Sequence, residues 1–193
     1  MTELTIDQEI EQLKKITRQD GDDQYAQALY ELAWIYQFEK KDIEQAEYYF
    51  KLIEKNDDPQ AYALAQCQLG TIYQFYKKDI EKAEYYYRLV EKNDNRQAYA
   101  LAQFELGQIF QNHKKDIEQA EYYYQLVEEN VNKKIFALAQ FNLGIIHSDD
   151  PKLASKYYLQ VCDSEEPWLA NWANQKLGNI AYFSKIDTDL QSP

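Results

Sequence analysis

Apolar side chains recur at intervals of three and four residues through much of the chain, the spacing of one face of an α-helix. Within residues 60–76 this face comprises Ala63, Ala65, Leu69, Ile72, Tyr73 and Tyr76. A second apolar face follows Asp79, whose carboxylate is placed to cap free backbone N–H groups at a helix start. The pattern therefore predicts two consecutive helices joined by a Lys-Lys-Asp turn.

This two-helix pattern is repeated along the chain. Residues 62–98 and 99–135 are identical at 24 of 37 positions, and the unit recurs in 25–61 and more loosely in 136–166. Tandem units of this kind are typical of helix pairs that pack only on their neighbours. The expected fold is therefore all-α, an α-solenoid of antiparallel helix pairs with 37-residue repeats.

Both ends carry additional segments. An N-terminal helix is predicted for about residues 5–18, and a capping helix for about 167–183. A single helical-repeat domain is thus expected over residues 1–185, followed by a disordered tail, 186–193.

Local capping signals mark two of the predicted helix starts. Thr5 and Gln8 have the spacing of a capping box at the first helix. The fourth unit has a shorter turn, in which Pro151 is expected to begin the second helix after a cap by Asp149 or Asp150.

Each first helix carries one small residue at a fixed place, and each second helix carries one large residue. The small residues are Ala33, Gly70, Gly107 and Gly144, and the large ones are Phe50, Tyr87, Tyr124 and Tyr158. Glycine inside a helix costs about 1 kcal/mol relative to alanine, so its recurrence indicates a packing requirement. We expect the large side chains to fill the space left by the small ones.

Charge is distributed unevenly around a net value of −12. Residues 1–60 carry 15 acidic and 7 basic side chains, residues 61–127 carry 9 and 8, and residues 128–193 carry 9 and 6. An acidic surface repels nucleic acid and anionic membranes and favours a basic partner, and solubility alone is the alternative explanation.

Several classes of site are not indicated. The two histidines and two cysteines lack ligand spacing, and the repeat glycines lie within predicted helices rather than phosphate-binding loops. We therefore expect no catalytic, cofactor or metal site and no enzymatic activity. The polar N-terminus, the absence of an apolar span and the sparse cysteines favour a cytoplasmic protein.

The motif Leu69-Gly70-x-x-Tyr73, followed by Ala83 and Tyr87, resembles the tetratricopeptide repeat, with Sel-like repeats as the second choice. The resemblance implies a right-handed superhelix whose first helices line a concave groove that binds peptides or partner proteins. The chain departs from the family in its longer unit and in lacking the usual closing proline and early tryptophan. It also lacks the glycine-bearing turn of Sel-like repeats.

If the first helices line a groove, an aromatic and amide-rich stripe faces the partner. The predicted partner-binding residues are Tyr30, Trp34, Gln37, Phe38, Thr71, Gln74, Phe75, Phe104, Gln108, Gln111 and Phe141. The alternative for the aromatic members is that they complete packing between repeats. The lysines, arginines and asparagines with which chaperone-binding members of the family hold a C-terminal carboxylate are absent.

Three hypotheses for function follow. The first is a scaffold or adaptor that binds a protein or peptide in the groove. The second is an acidic inhibitor, such as a bacterial immunity protein, that neutralises a basic toxin or effector. The third is interaction through a convex ladder of tyrosines, Tyr48, Tyr85 and Tyr122, which predicts self-association. The alternative for these tyrosines is packing between repeats with their hydroxyls reaching solvent. A monomer is expected under the first two hypotheses.

Overall fold

Short polar side chains at regular places in the sequence set where the helices begin. The structure, a computed structural model, describes residues 5–190, with side chains described up to residue 182. Over this range the chain forms ten α-helices and no strand. They are α1 (Ile6–Leu13), α2 (Asp22–Phe38), α3 (Ile43–Lys51), α4 (Pro59–Thr71), α5 (Ile80–Arg88), α6 (Arg96–Ile109), α7 (Ile117–Gln125), α8 (Lys133–Ile146), α9 (Pro151–Leu159) and α10 (Pro167–Leu190).

The predicted caps are confirmed. The Asp79 carboxylate accepts a hydrogen bond from the backbone N–H of Lys82 at 3.1 Å. Thr5 and Gln8 form the predicted reciprocal capping box at α1. Asp150, rather than Asp149, caps α9, with proline at the first helical position. These side chains satisfy backbone donors that have no partner within the helix, which explains why the boundaries could be read locally.

The N-terminal helix is shorter than the predicted range of about 5–18, because α1 ends at Leu13. A separate 3₁₀ turn, Arg18–Asp20, follows. There the Thr17 side chain accepts from the Gln19 N–H, and the Asp20 carboxylate accepts from the Thr17 N–H. These local hydrogen bonds compete with continuation of the helix.

The Lys-Lys-Asp turns have an unusual backbone. After α4 and α6 the chain continues as π-helical turns, Ile72–Lys77 and Phe110–Lys114. The next residue is left-handed, with φ of 58° at Lys78 and 59° at Lys115, and Lys41 at the corresponding place after α2 has φ of 57°. Lysine therefore occupies a conformation that glycine adopts at lower cost.

The chain forms two compact units, Met1–Ala102 and Gln103–Pro193, and the division falls within α6. In the first unit α2 packs on α3, α4 packs on α5, and α1 packs on α2. In the second unit α7 packs on α8, α8 on α9, and α9 on α10. The single repeat domain expected over residues 1–185 stays a prediction.

Each unit has its own apolar core. The first core contains Ala26, Leu29, Ala33, Ala46, Phe50, Ile53, Ala61, Ala65, Leu69 and Ile72. Ile10 of α1 joins a smaller cluster with Leu32 and Ile35 of α2. The core of the second unit contains Ala137, Phe141, Ala154, Tyr158, Val161, Leu169 and Ala173.

The predicted packing of large residues against the helical glycines is confirmed. A Cβ added to Gly70 would lie 2.5 Å from Cε1 of Tyr87, and one added to Gly107 would lie 2.5 Å from Cε1 of Tyr124. The same contact joins Gly144 and Tyr158. Even a methyl side chain at these places would require the tyrosine ring to move, because carbon atoms in contact prefer about 3.5–4.0 Å.

The last helix extends beyond the predicted end at about residue 183. No glycine or proline interrupts the chain between Gly178 and Leu190, and α10 continues to Leu190. Residues 186–190 of the predicted disordered tail are therefore helical, and residues 191–193 lie outside the described residues.

Candidate functional site

The exposed part of the predicted stripe in the first unit is centred on α2. Trp34 is 43% exposed, and its ring lies 5.1 Å from that of Phe38, measured between centroids. Tyr30, one turn before Trp34, is half-buried and packs edge-on against Phe50 at 5.4 Å. Burial raises the pKa of Tyr30, so its hydroxyl stays protonated at neutral pH. Tyr30, Trp34 and Phe38 thus present aromatic surface along one side of α2.

The amides predicted to accompany these aromatics are not at the surface. Gln37 is 2% exposed and Gln74 is 6% exposed. Gln74 lies in the π-helical turn that follows α4, and Gln37, at the corresponding place one repeat earlier, lies within α2, so this position is buried in both kinds of helix. Phe75, the next residue, is 49% exposed, and Thr71 is half-buried with its hydroxyl donating to the Cys67 carbonyl at 3.1 Å.

In the second unit the predicted stripe residues serve mainly as packing. Phe104 and Phe141 are 6% and 7% exposed, and their rings lie 5.8 Å and 5.6 Å from those of Tyr124 and Tyr158. Both contacts lie within one repeat, whereas the alternative considered for the two phenylalanines was packing between repeats. Gln108 and Gln111 are half-buried, and the Gln111 Oε1 accepts a hydrogen bond from the Tyr124 hydroxyl at 2.7 Å.

A cleft in the first unit lies where α1 meets α2. Its volume is about 270 Å³. The lining residues are Ile6 and Glu9 of α1, Tyr30, Glu31, Trp34 and Ile35 of α2, and Glu39 immediately after it. Two predicted residues, Tyr30 and Trp34, are therefore brought together with two apolar side chains and three carboxylates that were not predicted to form a site. The docking of α1, which lies outside the repeats, supplies Ile6 and Glu9.

The carboxylates of this cleft have no cationic partner in the part of the chain that the structure describes. Among the described residues, Glu9, Glu31 and Glu39 form no salt bridge. Asp7 is instead paired with Lys40 at 2.5 Å. The rim of the cleft therefore carries three negative charges without a basic side chain among its lining residues.

A buried charge cluster elsewhere in the first unit has a structural role. Glu47 of α3 is 7% exposed and is hydrogen-bonded by Lys51, Lys77 and the Tyr73 hydroxyl. Burial by itself would raise the pKa of Glu47, but these hydrogen bonds lower it to about 2. The cluster joins the second helix of one repeat to the π-helical turn of the next.

The three tyrosines predicted to form a ladder are each exposed. Tyr48 and Tyr85 in the first unit are 55% and 58% exposed, and Tyr122 in the second unit is 53% exposed. Each ring makes a T-shaped contact with the following tyrosine, with centroids 5.1–5.2 Å apart. These rings are held in place by packing within their own helices.

No protein-family model, curated protein or solved structure matches this chain. Within the described residues, no three His, Cys, Asp or Glu side chains are grouped so that they could hold a metal ion. None of the helices in that part of the chain combines the length and apolar character that crossing a membrane requires.

Proposed function

We propose that this chain is a non-enzymatic protein-interaction module that binds a protein or peptide through the exposed aromatic side chains of its first helices. The observation that carries the proposal is the contact between the rings of Trp34 and Phe38, because Trp34 also lines the cleft between α1 and α2. Tryptophan is enriched among the residues that dominate binding energy at interfaces.

The packing of the helix that carries these aromatic side chains supports the proposal. The opposite side of α2 is buried in the core through Ala26, Leu29 and Ala33, which are at most 4% exposed. A helix held in this way presents its exposed side chains in a fixed arrangement. Binding to such a surface loses little conformational entropy of the protein, so a few aromatic contacts are sufficient for affinity.

The architecture we propose is a right-handed, tetratricopeptide-like solenoid of 37-residue repeats. Its support is the recurrence of the first helices, which begin at Asp22, Pro59, Arg96 and Lys133. In this arrangement α2, α4, α6 and α8 are equivalent, and the exposed Trp34 and Phe75 belong to the same class of helix.

The second candidate function is an acidic inhibitor, such as an immunity protein, of a basic toxin or effector. The three unpaired carboxylates around Trp34 favour this candidate, because a rim of one charge attracts a target of the opposite charge. The two functions differ in partner number, since an adaptor takes several partners with a shared motif and an inhibitor takes one.

Replacement of Trp34 tests the proposal. Tagged wild-type protein, Trp34→Ala and the control Trp172→Ala are used to capture proteins from a lysate of the source organism, with quantitative mass spectrometry at low and high salt. Trp172, 56% exposed, controls for the loss of an exposed tryptophan elsewhere. We expect at least one stoichiometric partner to be lost with Trp34→Ala and retained with Trp172→Ala. Helicity measured by circular dichroism should be unchanged.

The pattern of losses separates the two candidates. A single basic partner that dissociates at high salt indicates the inhibitor, and several salt-resistant partners indicate the adaptor. Equal capture by wild type and Trp34→Ala would remove α2 as the binding surface.

A further inference from the structure

We infer that the cleft between α1 and α2 is a docking site for a cationic segment of a partner protein, in which one apolar side chain is flanked by lysine or arginine. The apolar side chain would insert between Ile6 and Trp34, and the basic side chains would pair with Glu9, Glu31 and Glu39. This inference rests on the proposed function and specifies its partner chemistry.

The floor of the cleft is apolar and open to solvent. Ile6 is 39% exposed and Trp34 is 43% exposed, whereas Ile35 beside them is 5% exposed. Covering Ile6 and Trp34 with an apolar side chain removes both from water, which is favourable in proportion to the area buried. A cleft of about 270 Å³ suits a single side chain rather than a whole helix.

The rim determines the charge of the partner. Glu9, Glu31 and Glu39 are all exposed and form no salt bridge among the described residues. The nearby Lys40 is already paired with Asp7, so it does not neutralise them. An acidic segment would add like charges to this rim, whereas lysine or arginine gains attraction from each carboxylate. Electrostatic complementarity therefore selects a cationic occupant.

The residues of the cleft are not those that the repeat requires. The positions that correspond to Trp34 in the later repeats hold Thr71, Gln108 and Ile145, and the positions that correspond to Glu39 hold Tyr76 and His113. Packing of the repeat therefore tolerates other residues at both places. Trp34 and Glu39 occur together in the first repeat, on which α1 packs, and packing between repeats does not require them.

Fluorescence of Trp34 provides a direct test. The variant with Trp168→Phe and Trp172→Phe leaves Trp34 as the only tryptophan of the three. This variant is titrated with a synthetic peptide in which one leucine is flanked on each side by three lysines. We expect the emission of Trp34 to shift to the blue as the leucine covers it, and high salt to weaken the titration. Peptides with serine for leucine, or with glutamate for lysine, should bind less well.

Charge-neutral variants test the role of the rim. In the same background, the triple variant Glu9→Gln, Glu31→Gln and Glu39→Gln should bind the leucine–lysine peptide roughly tenfold more weakly, since exposed ion pairs each contribute modestly. The control triple variant changes net charge equally at exposed residues that do not line the cleft, with Glu81→Gln, Glu118→Gln and Glu129→Gln. It should retain the affinity of the parent.

Three results would overturn the inference: an emission of Trp34 that the peptide leaves unchanged, equal affinity of the two triple variants, or equal binding of the glutamate peptide. The lysate capture separates this inference from the proposed function. A partner that requires Trp34 but is held equally by the cleft triple variant leaves the protein-interaction function in place and removes the cationic site. If no partner depends on Trp34, the proposed function itself fails.

Discussion

The contact between helical glycine and tyrosine predicts opposite effects for the same substitution at two positions. At Gly107 a Cβ would lie 2.5 Å from the Tyr124 ring, which therefore has to move by about 1 Å to reach an ordinary contact distance. That ring is fully buried, and its hydroxyl is hydrogen-bonded to Gln111. At Gly178, which is exposed, no described atom lies within 4 Å of the added Cβ.

The magnitudes follow from two opposing effects. Overpacking of a core costs about 1–3 kcal/mol, and alanine is favoured over glycine in a helix by about 1 kcal/mol. Gly107→Ala should therefore lower the free energy of unfolding by up to about 2 kcal/mol, whereas Gly178→Ala should raise it by up to about 1 kcal/mol. For a chain of this length the Tm of Gly107→Ala should fall by up to about 8 °C.

Thermal and urea unfolding followed by circular dichroism measure both variants. A double variant with Gly107→Ala and Tyr124→Phe adds a check, because the first repeat already combines Ala33 with Phe50 at these places. We expect the double variant to lose less stability than the sum of the single changes. If Gly107→Ala raised the Tm as Gly178→Ala does, the packing argument would be refuted.

Two further predictions concern the first unit. Lys78→Gly should raise the free energy of unfolding by about 0.5–1 kcal/mol, because it relieves the left-handed backbone; Lys78→Ala, which keeps the strain, should bring no such gain in urea unfolding. Glu47→Gln should lower that free energy by roughly 2–3 kcal/mol at pH 7. Because folding depresses the Glu47 pKa from 4.5 to about 2, its contribution is complete above pH 4.5 and disappears as the pH falls towards 2. The difference in free energy of unfolding between Glu47→Gln and wild type should decrease over that pH range. The free energy of unfolding of the exposed control Glu81→Gln should stay close to that of wild type at every pH.

Features with a local cause were predictable from the sequence. The cap by Asp79 and the capping box of Thr5 and Gln8 each depend on residues three positions apart, so a short stretch of sequence contains both partners. The pairing of Gly107 with Tyr124 was predictable for a different reason. The repeats present the same small and large residues at corresponding places, which indicates a shared contact.

The candidate site was predictable only in part. Trp34 and Tyr30 were inferred from the face they share on one helix, but Ile6 and Glu9 reach the same cleft only through the docking of α1 on α2. No repeat pattern encodes that contact. Gln37 and Gln74 were predicted to face a partner, but both are buried, one within α2 and the other in the π-helical turn after α4, so the change of helix type does not explain the difference.

The glycine and the tyrosine of each contact lie within one repeat, on consecutive helices. Gly70 meets Tyr87, and Gly107 meets Tyr124, both 17 residues further along the chain. A gene duplication that copies a whole repeat therefore copies the cavity and the ring that fills it together. The array can lengthen during evolution without a compensating mutation in the older repeats. The contact also survives a shorter connecting turn, because Gly144 meets Tyr158 only 14 residues further along the chain.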